Sequence, residues 1–274
     1  MADISLTASM RSNLLSLQQT QSLMDTTQER LSTGKKVNSA IDNPSSYYTA
    51  QSLTNRASDL SSLLDSMGQA VQTIQAANEG IEAITEFASQ AKAIANSAND
   101  TSDGASIENY MKQFDEILKQ IDGIAKDSGY KGVNLLGGKD QELKVVFNED
   151  RSSYLTINGT FADTSDEGLK ISRAEDWTNP DNEAIDASIS ELENAITSLR
   201  NMASEFGNNY SIVENRENFT ESLINVLEEG SDKLTLADMN EESANMLALQ
   251  TRQQLAINSL SLASQAAQSV LSLF

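Results

Sequence analysis

The stretch SANMLALQTRQQLAINSLSLASQAAQSVLSLF, residues 243–274, decides the fold. It holds one charged side chain, Arg252, and neither proline nor glycine. Met246, Leu249, Ala256, Leu260, Ala263, Ala267, Val270 and Phe274 recur at steps of three, four or their sums, which marks one seam of an α-helix. A second apolar set, Leu247, Leu255, Ile257, Leu262, Leu271 and Leu273, lies off that seam. A helix that is apolar on more than one face has more surface to cover than one neighbouring helix supplies. Gln250, Gln253, Gln254, Asn258 and Gln265 break up any apolar run long enough to span a bilayer. The pattern predicts a helix that packs among many copies of itself.

The rest of the chain supports long helices over a compact globule. Of 274 residues 5% are aromatic, and the two prolines, Pro44 and Pro180, both stand between periodic stretches. There is no cysteine, which fits a reducing compartment or an exported chain that stays free of cross-links. The opening MADISLTASMRSNLL shows no basic region followed by an apolar one, so export, if it occurs, is expected without a cleaved signal peptide. Net charge is −21, unevenly placed: residues 1–40 and 243–274 carry +1 each, leaving −23 between them. An acidic surface disfavours nucleic acid and anionic membrane, so neither is expected as a partner. Nearly neutral ends can pack together without summed repulsion.

Upstream, Met10, Leu14, Leu17, Gln21, Met24, Gln28 and Leu31 step by four and three, and Ser32-Thr33-Gly34 ends the run. Asn43-Pro44-Ser45-Ser46 reads as a turn. Leu53, Ala57, Leu60, Leu64, Met67, Val71, Ile74, Asn78, Ile81, Ile84, Ala88, Ala91 and Ala95 form a coiled-coil stripe. As one helix, residues 46–98 would span roughly 80 Å at the α-helical rise. Asn99 to Gly104 is a stop, and a shorter helix follows through Ile107, Tyr110, Phe114, Ile117, Ile121 and Ile124. Leu143–Phe147 and Tyr154–Ile157 read as paired strands across a turn at Asn148–Ser152, and Asn158-Gly159 as another tight turn. Helix resumes after Pro180 with Ile185, Ile189, Leu192, Ile196, Leu199, Ala203, Phe206, Tyr210 and Val213, and Gly230–Asp238 reads as a loop before the last helix. The fold class is mainly α: long antiparallel coiled-coil helices with a small β-hairpin element at the tip.

Chemistry is sparse. Without histidine or cysteine the common general bases, thiol nucleophiles and zinc motifs are missing, so neither an enzyme nor a metal or cofactor site is expected. Asp100, Asp103 and Gly104 hint at calcium but lack the ligand series that ends in glutamate.

LSTGKKVNSAIDNPSS (31–46), GYKGVNLLGG (129–138) and the ending ADMNEESANMLALQTRQQLAINSLSLASQAAQSVLSLF resemble the bacterial flagellins. The resemblance reaches both ends and the middle, with no room for a large surface domain between hairpin and returning helix. It implies an N-terminal inner-tube helix and spoke at 1–44, an outer coiled-coil domain at 45–235 with its β element at about 140–172, and a C-terminal inner-tube helix at 236–274. It implies a secreted subunit that polymerises with itself into the helical filament used for swimming, next to hook-associated junction and cap proteins. It also implies a flagellar export chaperone docked on the C-terminal helix. The expected polymerisation seam is Met10, Leu14, Leu17, Met24, Leu31, Met246, Leu249, Leu260, Ala263, Ala267, Val270 and Phe274. Flagellins sensed by the Toll-like receptor carry a Gln-Arg-x-Arg-Glu-Leu run. Here the matching positions are Glu82, Ala83, Ile84, Thr85, Glu86 and Phe87, without either arginine, which implies weak sensing. The alternatives are a hook–filament junction protein, made in few copies, and a soluble coiled-coil secreted protein with ordered ends.

Overall fold

The structure, a computed structural model, describes residues 8–175, 177 and 182–271. Its elements are α1 (Ala8–Thr33), α2 (Pro44–Asn99), α3 (Gly104–Asp127), β1 (Glu142–Val146), β2 (Tyr154–Asn158), α4 (Glu183–Thr235) and α5 (Met239–Leu271). The chain divides into two compact units: the residues up to Asn55 with those from Val226 onward, and Arg56–Asn225.

Helix boundaries follow local chemistry. Gly34 at φ 72° ends α1 in the left-handed conformation that glycine adopts without steric cost. Asn43 caps α2, its side-chain oxygen accepting from Ser46 N at 3.1 Å, and Pro44 opens the helix where no N–H is needed. Asp103 caps α3, accepting from Ser106 N at 3.1 Å and Ser106 Oγ at 2.6 Å. The carboxylate that hinted at calcium is thus committed to a helix N-terminus.

In the Arg56–Asn225 unit, α2 and α4 run antiparallel. Lys92 bonds Glu193 at 2.7 Å, and Asn99 bonds Asp186 at 3.1 Å. Met67, Ile74, Ile81, Ile84, Ala88, Ala91 and Ala95 are buried on one stripe of α2, facing Ile185, Leu192, Leu199, Phe206 and Val213 of α4 and Phe114, Leu118 and Ile121 of α3. Met67 and Ile84 are 0% exposed. Burial of each such side chain contributes roughly 1.5–3 kcal/mol. The segment after β2 packs Leu169, Ile171 and Trp177 onto this core. The Trp177 and Phe114 ring centres lie 4.8 Å apart, and Trp177 Nε1 donates to Ser188 Oγ at 3.3 Å.

The strands pair antiparallel, Glu142 opposite Asn158 and Val146 opposite Tyr154. The hairpin lies alongside the helices instead of standing beyond them. In its turn Glu149 bonds Arg56 at 2.6 Å, and the Arg216 guanidinium sits 5.2 Å from the centre of the Phe147 ring. Asn158-Gly159 is not the second tight turn expected. Gly159 N donates to Gln141 O at 2.6 Å and Thr160 N to Leu135 O at 2.8 Å, so the chain carries straight on. Glycine is needed there because a Cβ would meet Gly138 O at 2.5 Å and Gln141 O at 2.7 Å.

The expected loop at Gly230–Asp238 is also mostly helix, because α4 continues to Thr235. Glu229 and Lys233 form an i,i+4 pair at 2.6 Å across the glycine, and Leu53 Cδ1 lies 3.4 Å from where a Gly230 Cβ would stand. Gly230 is therefore an interior residue of α4, not a breaker.

Candidate assembly surface

The unit built from both ends of the chain is centred on α1 and α5. Asn13 bonds Ser259 at 3.4 Å, Gln21 bonds Gln253 at 2.8 Å and Arg30 bonds Glu242 at 2.9 Å. As one helix ascends the other descends, so the pair is antiparallel in a single register. Their Cα atoms approach within 8 Å repeatedly, and no other pair of helices among the described residues stays so close over such a length. Small side chains allow this: the register sets Ala263 level with Met10 and Ala256 level with Leu17.

The sequence-derived seam divides as follows. Met10 is buried; Leu17, Met24, Leu31, Met246, Leu249, Leu260 and Ala263 are half-buried; Leu14 is just exposed. Gln253 and Ala256 complete the α5 stripe at half burial. The side chains of Ala267 and Val270, and all of Phe274, lie outside the described residues. On α1 the second buried row is Thr20 and Thr27, with half-buried Asn13, while Gln21, Gln28 and Leu14 face solvent. A strict heptad contained that signal, since Asn13, Thr20 and Thr27 each sit three residues beyond an apolar seam position. Thr20 Oγ1 satisfies itself on Ser16 O at 2.8 Å, which lets a polar residue sit at a dry contact.

The off-seam set is left uncovered. Leu247, Leu255, Ile257 and Leu262 on α5, and Leu15 and Leu23 on α1, are exposed; Leu255 is 64% exposed and Leu262 67%. Arg252 is the one charged side chain along this part of α5. Beyond its first turn α5 therefore presents an apolar, nearly uncharged outer face.

Where α1 ends and α5 begins, the two connectors clasp each other. Lys36 N and Val37 N both donate to Thr235 O, at 2.7 and 3.2 Å, and Ala237 N donates to Gly34 O at 2.9 Å. Lys36 Nζ adds a bond to Lys233 O at 2.9 Å. Glu242 is buried in the first turn of α5, where a carboxylate complements the helix dipole, and Arg30 in the last turn of α1 answers it. Asp238 caps α5 through Asn240 N at 2.8 Å. Asp42 Oδ2 accepts from Ser39 N, Asn38 N and Ser39 Oγ at 2.8, 3.0 and 3.1 Å. Those donors, the Ser39 amide foremost, hold its carboxyl below the ordinary value of 3.8. None of these long-range pairs was visible in the sequence.

The receptor-motif positions lie on α2. Glu82 and Glu86 are exposed, while Ala83, Thr85 and Phe87 are half-buried. Thr85 Oγ1 donates to Ile81 O at 2.7 Å, and Phe87 packs against the core. Among the described residues there is no cluster of three His, Cys, Asp or Glu side chains, and no helix long and apolar enough to cross a membrane.

Two family models match, the bacterial flagellin N-terminal helical region over residues 4–141 and the bacterial flagellin C-terminal helical region over residues 189–274. Flagellin FljK of Caulobacter vibrioides is 30% identical over 95% of this chain and 94% of its own length. The flagellin of Brucella melitensis is 31% identical over 100% of this chain and 99% of its own. A crystal structure of Bacillus cereus flagellin covers 57% of this chain and 88% of that one, with a TM-score of 0.49 at 14% identity. On the family models and the near-full-length relatives, the chain belongs to the bacterial flagellins, the structural subunits of the extracellular flagellar filament.

Proposed function

We propose that the exposed apolar face of the α1–α5 pair is the surface through which copies of this chain polymerise, with the seam residues from Met10 to Leu31 and from Met246 to Ala263 joining the pair beneath it. The observation that carries this is the row Leu247, Leu255, Ile257 and Leu262, uncovered on a helix with one charge. Patches of this kind mark interaction sites. A contact between unlike faces that does not close into a ring repeats as a helix of subunits. On this reading residues 1–44 and 236–274 line the filament interior, and 45–235 form its outer layer. The same apolar helix is the place for an export chaperone to shield before assembly, and junction and cap proteins meet the same ends. Purified protein seeded with short filament fragments and imaged by electron microscopy tests the reading: filaments of fixed diameter are the expected result. A persistent monomer under those conditions contradicts it.

We also propose weak activation of the Toll-like flagellin receptor. Ala83 and Thr85 stand where a family motif places arginine, whose planar fork pairs and stacks at interfaces. Loss of a hot-spot arginine costs on the order of 2 kcal/mol, so two losses weaken binding well over tenfold. Ala83→Arg with Thr85→Arg should raise potency in a reporter-cell titration. No gain would remove the arginines as the reason.

A further inference from the structure

Asn158-Gly159 is the one Asn-Gly pair in the chain. Asparagine before glycine is chemically labile, because glycine has no side chain to hinder attack by its own nitrogen on the asparagine side chain. In that reaction the main-chain nitrogen of Gly159 gives up its proton and bonds to Asn158 Cγ. The bond from Cγ to Nδ2 breaks, and ammonia carries the proton away. Water then opens the succinimide ring at one carbonyl or the other, leaving aspartate or isoaspartate. Nothing is oxidised or reduced. In isoaspartate the main chain runs through Cβ and Cγ and is one carbon longer.

The folded chain leaves the amide open to water and withholds the nucleophile. Asn158 ends β2 opposite Glu142 and is exposed. Gly159 N donates to Gln141 O at 2.6 Å, so its proton is held. Ring closure also needs rotation about the Asn158 Cα–C bond, away from the ψ of about +135° of an antiparallel strand. Both flanks resist that rotation. Ile157 is buried, Thr160 N donates to Leu135 O at 2.8 Å, and Ala162 N donates to Leu136 O at 3.2 Å. Gly138 O and Gln141 O lie 2.5 and 2.7 Å from where a Gly159 Cβ would stand, so the backbone has no room to swing. The chain's two Asp-Gly pairs can cyclise in the same way, but a carboxylate is the poorer electrophile. Both are engaged besides, Asp103 by Ser106 and Asp122 by Thr164 and Arg173.

We propose that Asn158 is a self-modifying site controlled by folding. In the open chain it converts to aspartate or isoaspartate without an enzyme. In the folded chain the bond to Gln141 O and the strand geometry hold it unreacted. An isoaspartate made in the open state then keeps the segment from closing. Its extra carbon moves Gly159 N and Thr160 N out of register with Gln141 O and Leu135 O, and the space beside Gly138 O is too tight to take up the slack. The mark records time spent unfolded and removes aged chains from the folded pool. It belongs to the Arg56–Asn225 unit and does not depend on polymerisation.

Trypsin cleavage after Arg151 and Lys170 releases Ser152–Lys170, which holds Asn158 as its one asparagine. The monomer is incubated in buffer and in concentrated urea at the same mildly alkaline pH and temperature. That peptide is then followed by mass spectrometry and by isoaspartate methyltransferase labelling. Conversion should be at least tenfold slower in buffer, where it requires local opening. Equal rates, or no conversion in urea, overturn the proposal. Asn158→Gln changes an exposed side chain, so it should melt like the parent and lose the mark in urea, since a six-membered ring closes far more slowly. Labelling of the peptide that persists in this variant places the reaction at another residue and overturns the assignment. Chains carrying isoaspartate at position 158, separated and returned to buffer, should melt below the parent. Equal melting overturns the claim that the mark bars refolding.

Discussion

The α2 stripe and the α5 stripe read alike in sequence, yet they meet different fates in the structure. Ile74, Ile81 and Ile84 of α2 are closed off by α3 and α4, so the chain covers them itself. Met246, Leu249 and Leu260 of α5 are only half covered by α1, and the neighbouring Leu247, Leu255 and Leu262 are not covered at all. Part of the difference is the number of neighbours: Phe114, Leu118 and Ile121 of α3 join α4 in covering α2, whereas among the described residues α5 packs along α1. Charge accounts for the rest, since the acidic middle is fit for solvent and the nearly neutral ends are fit for one another. One unit covers its own apolar side chains, and the other leaves part of its apolar surface exposed.

Removing Ser243–Phe274 should break the comparison most severely. Filament growth is expected to be lost entirely, while the Arg56–Asn225 unit keeps its helical circular dichroism and its melting transition. Normal-length filaments from the truncated chain would contradict the role given to α5.

Point changes should separate the two units. Leu192→Ala opens a cavity in a fully buried position and should lower stability by about 2–5 kcal/mol in denaturant titration. Leu255→Glu changes an exposed side chain, so the monomer transition should move by less than about 0.5 kcal/mol while assembly fails. If both variants lose stability equally, the units do not differ as described.

A smaller effect is expected at the junction of α1 and α5. Arg30→Ala leaves Glu242 buried without its partner, and because Arg30 is 39% exposed the cost is only about 1 kcal/mol. It should appear as faster amide exchange at the first turn of α5, with no change in α2.

Asp42 gives the smallest effect. Its carboxyl is depressed in the folded state, so its contribution to the turn is full above the ordinary value of 3.8 and disappears as pH falls through the lower folded value. The Ser39 and Asn38 amide resonances should follow that titration, and Asp42→Asn should abolish it. A Ser39 shift that ignores the substitution would remove Asp42 as the cause.

The sequence revealed whatever depends on local period and punctuation. The α2 stripe, the stop at Gly34 and the start at Asn43-Pro44 follow from neighbours a few residues apart. Gly230 reads as the start of a loop and Asn158-Gly159 as a turn, because a glycine inside an element is indistinguishable, locally, from one that ends it. At Gly159 what decides is a distant contact, with Gly138 and Gln141. Thr20 and Thr27 read as solvent-facing because of their hydroxyls, although their heptad spacing is that of a buried row. The clasp of Gly34–Val37 on Thr235–Ala237 and the Arg30–Glu242 pair join residues some two hundred positions apart, and no local pattern encodes them.

Amide hydrogen exchange, measured on the monomer and on the filament, tests the central claim most directly. Protection at Leu64–Ala98 should be high and nearly equal in both states. Protection at Ala8–Thr33 and Met239–Leu271 should be low in the monomer and rise by orders of magnitude in the filament. Equal protection of those end segments in both states would mean that the α1–α5 pair is stable on its own, and would contradict the account.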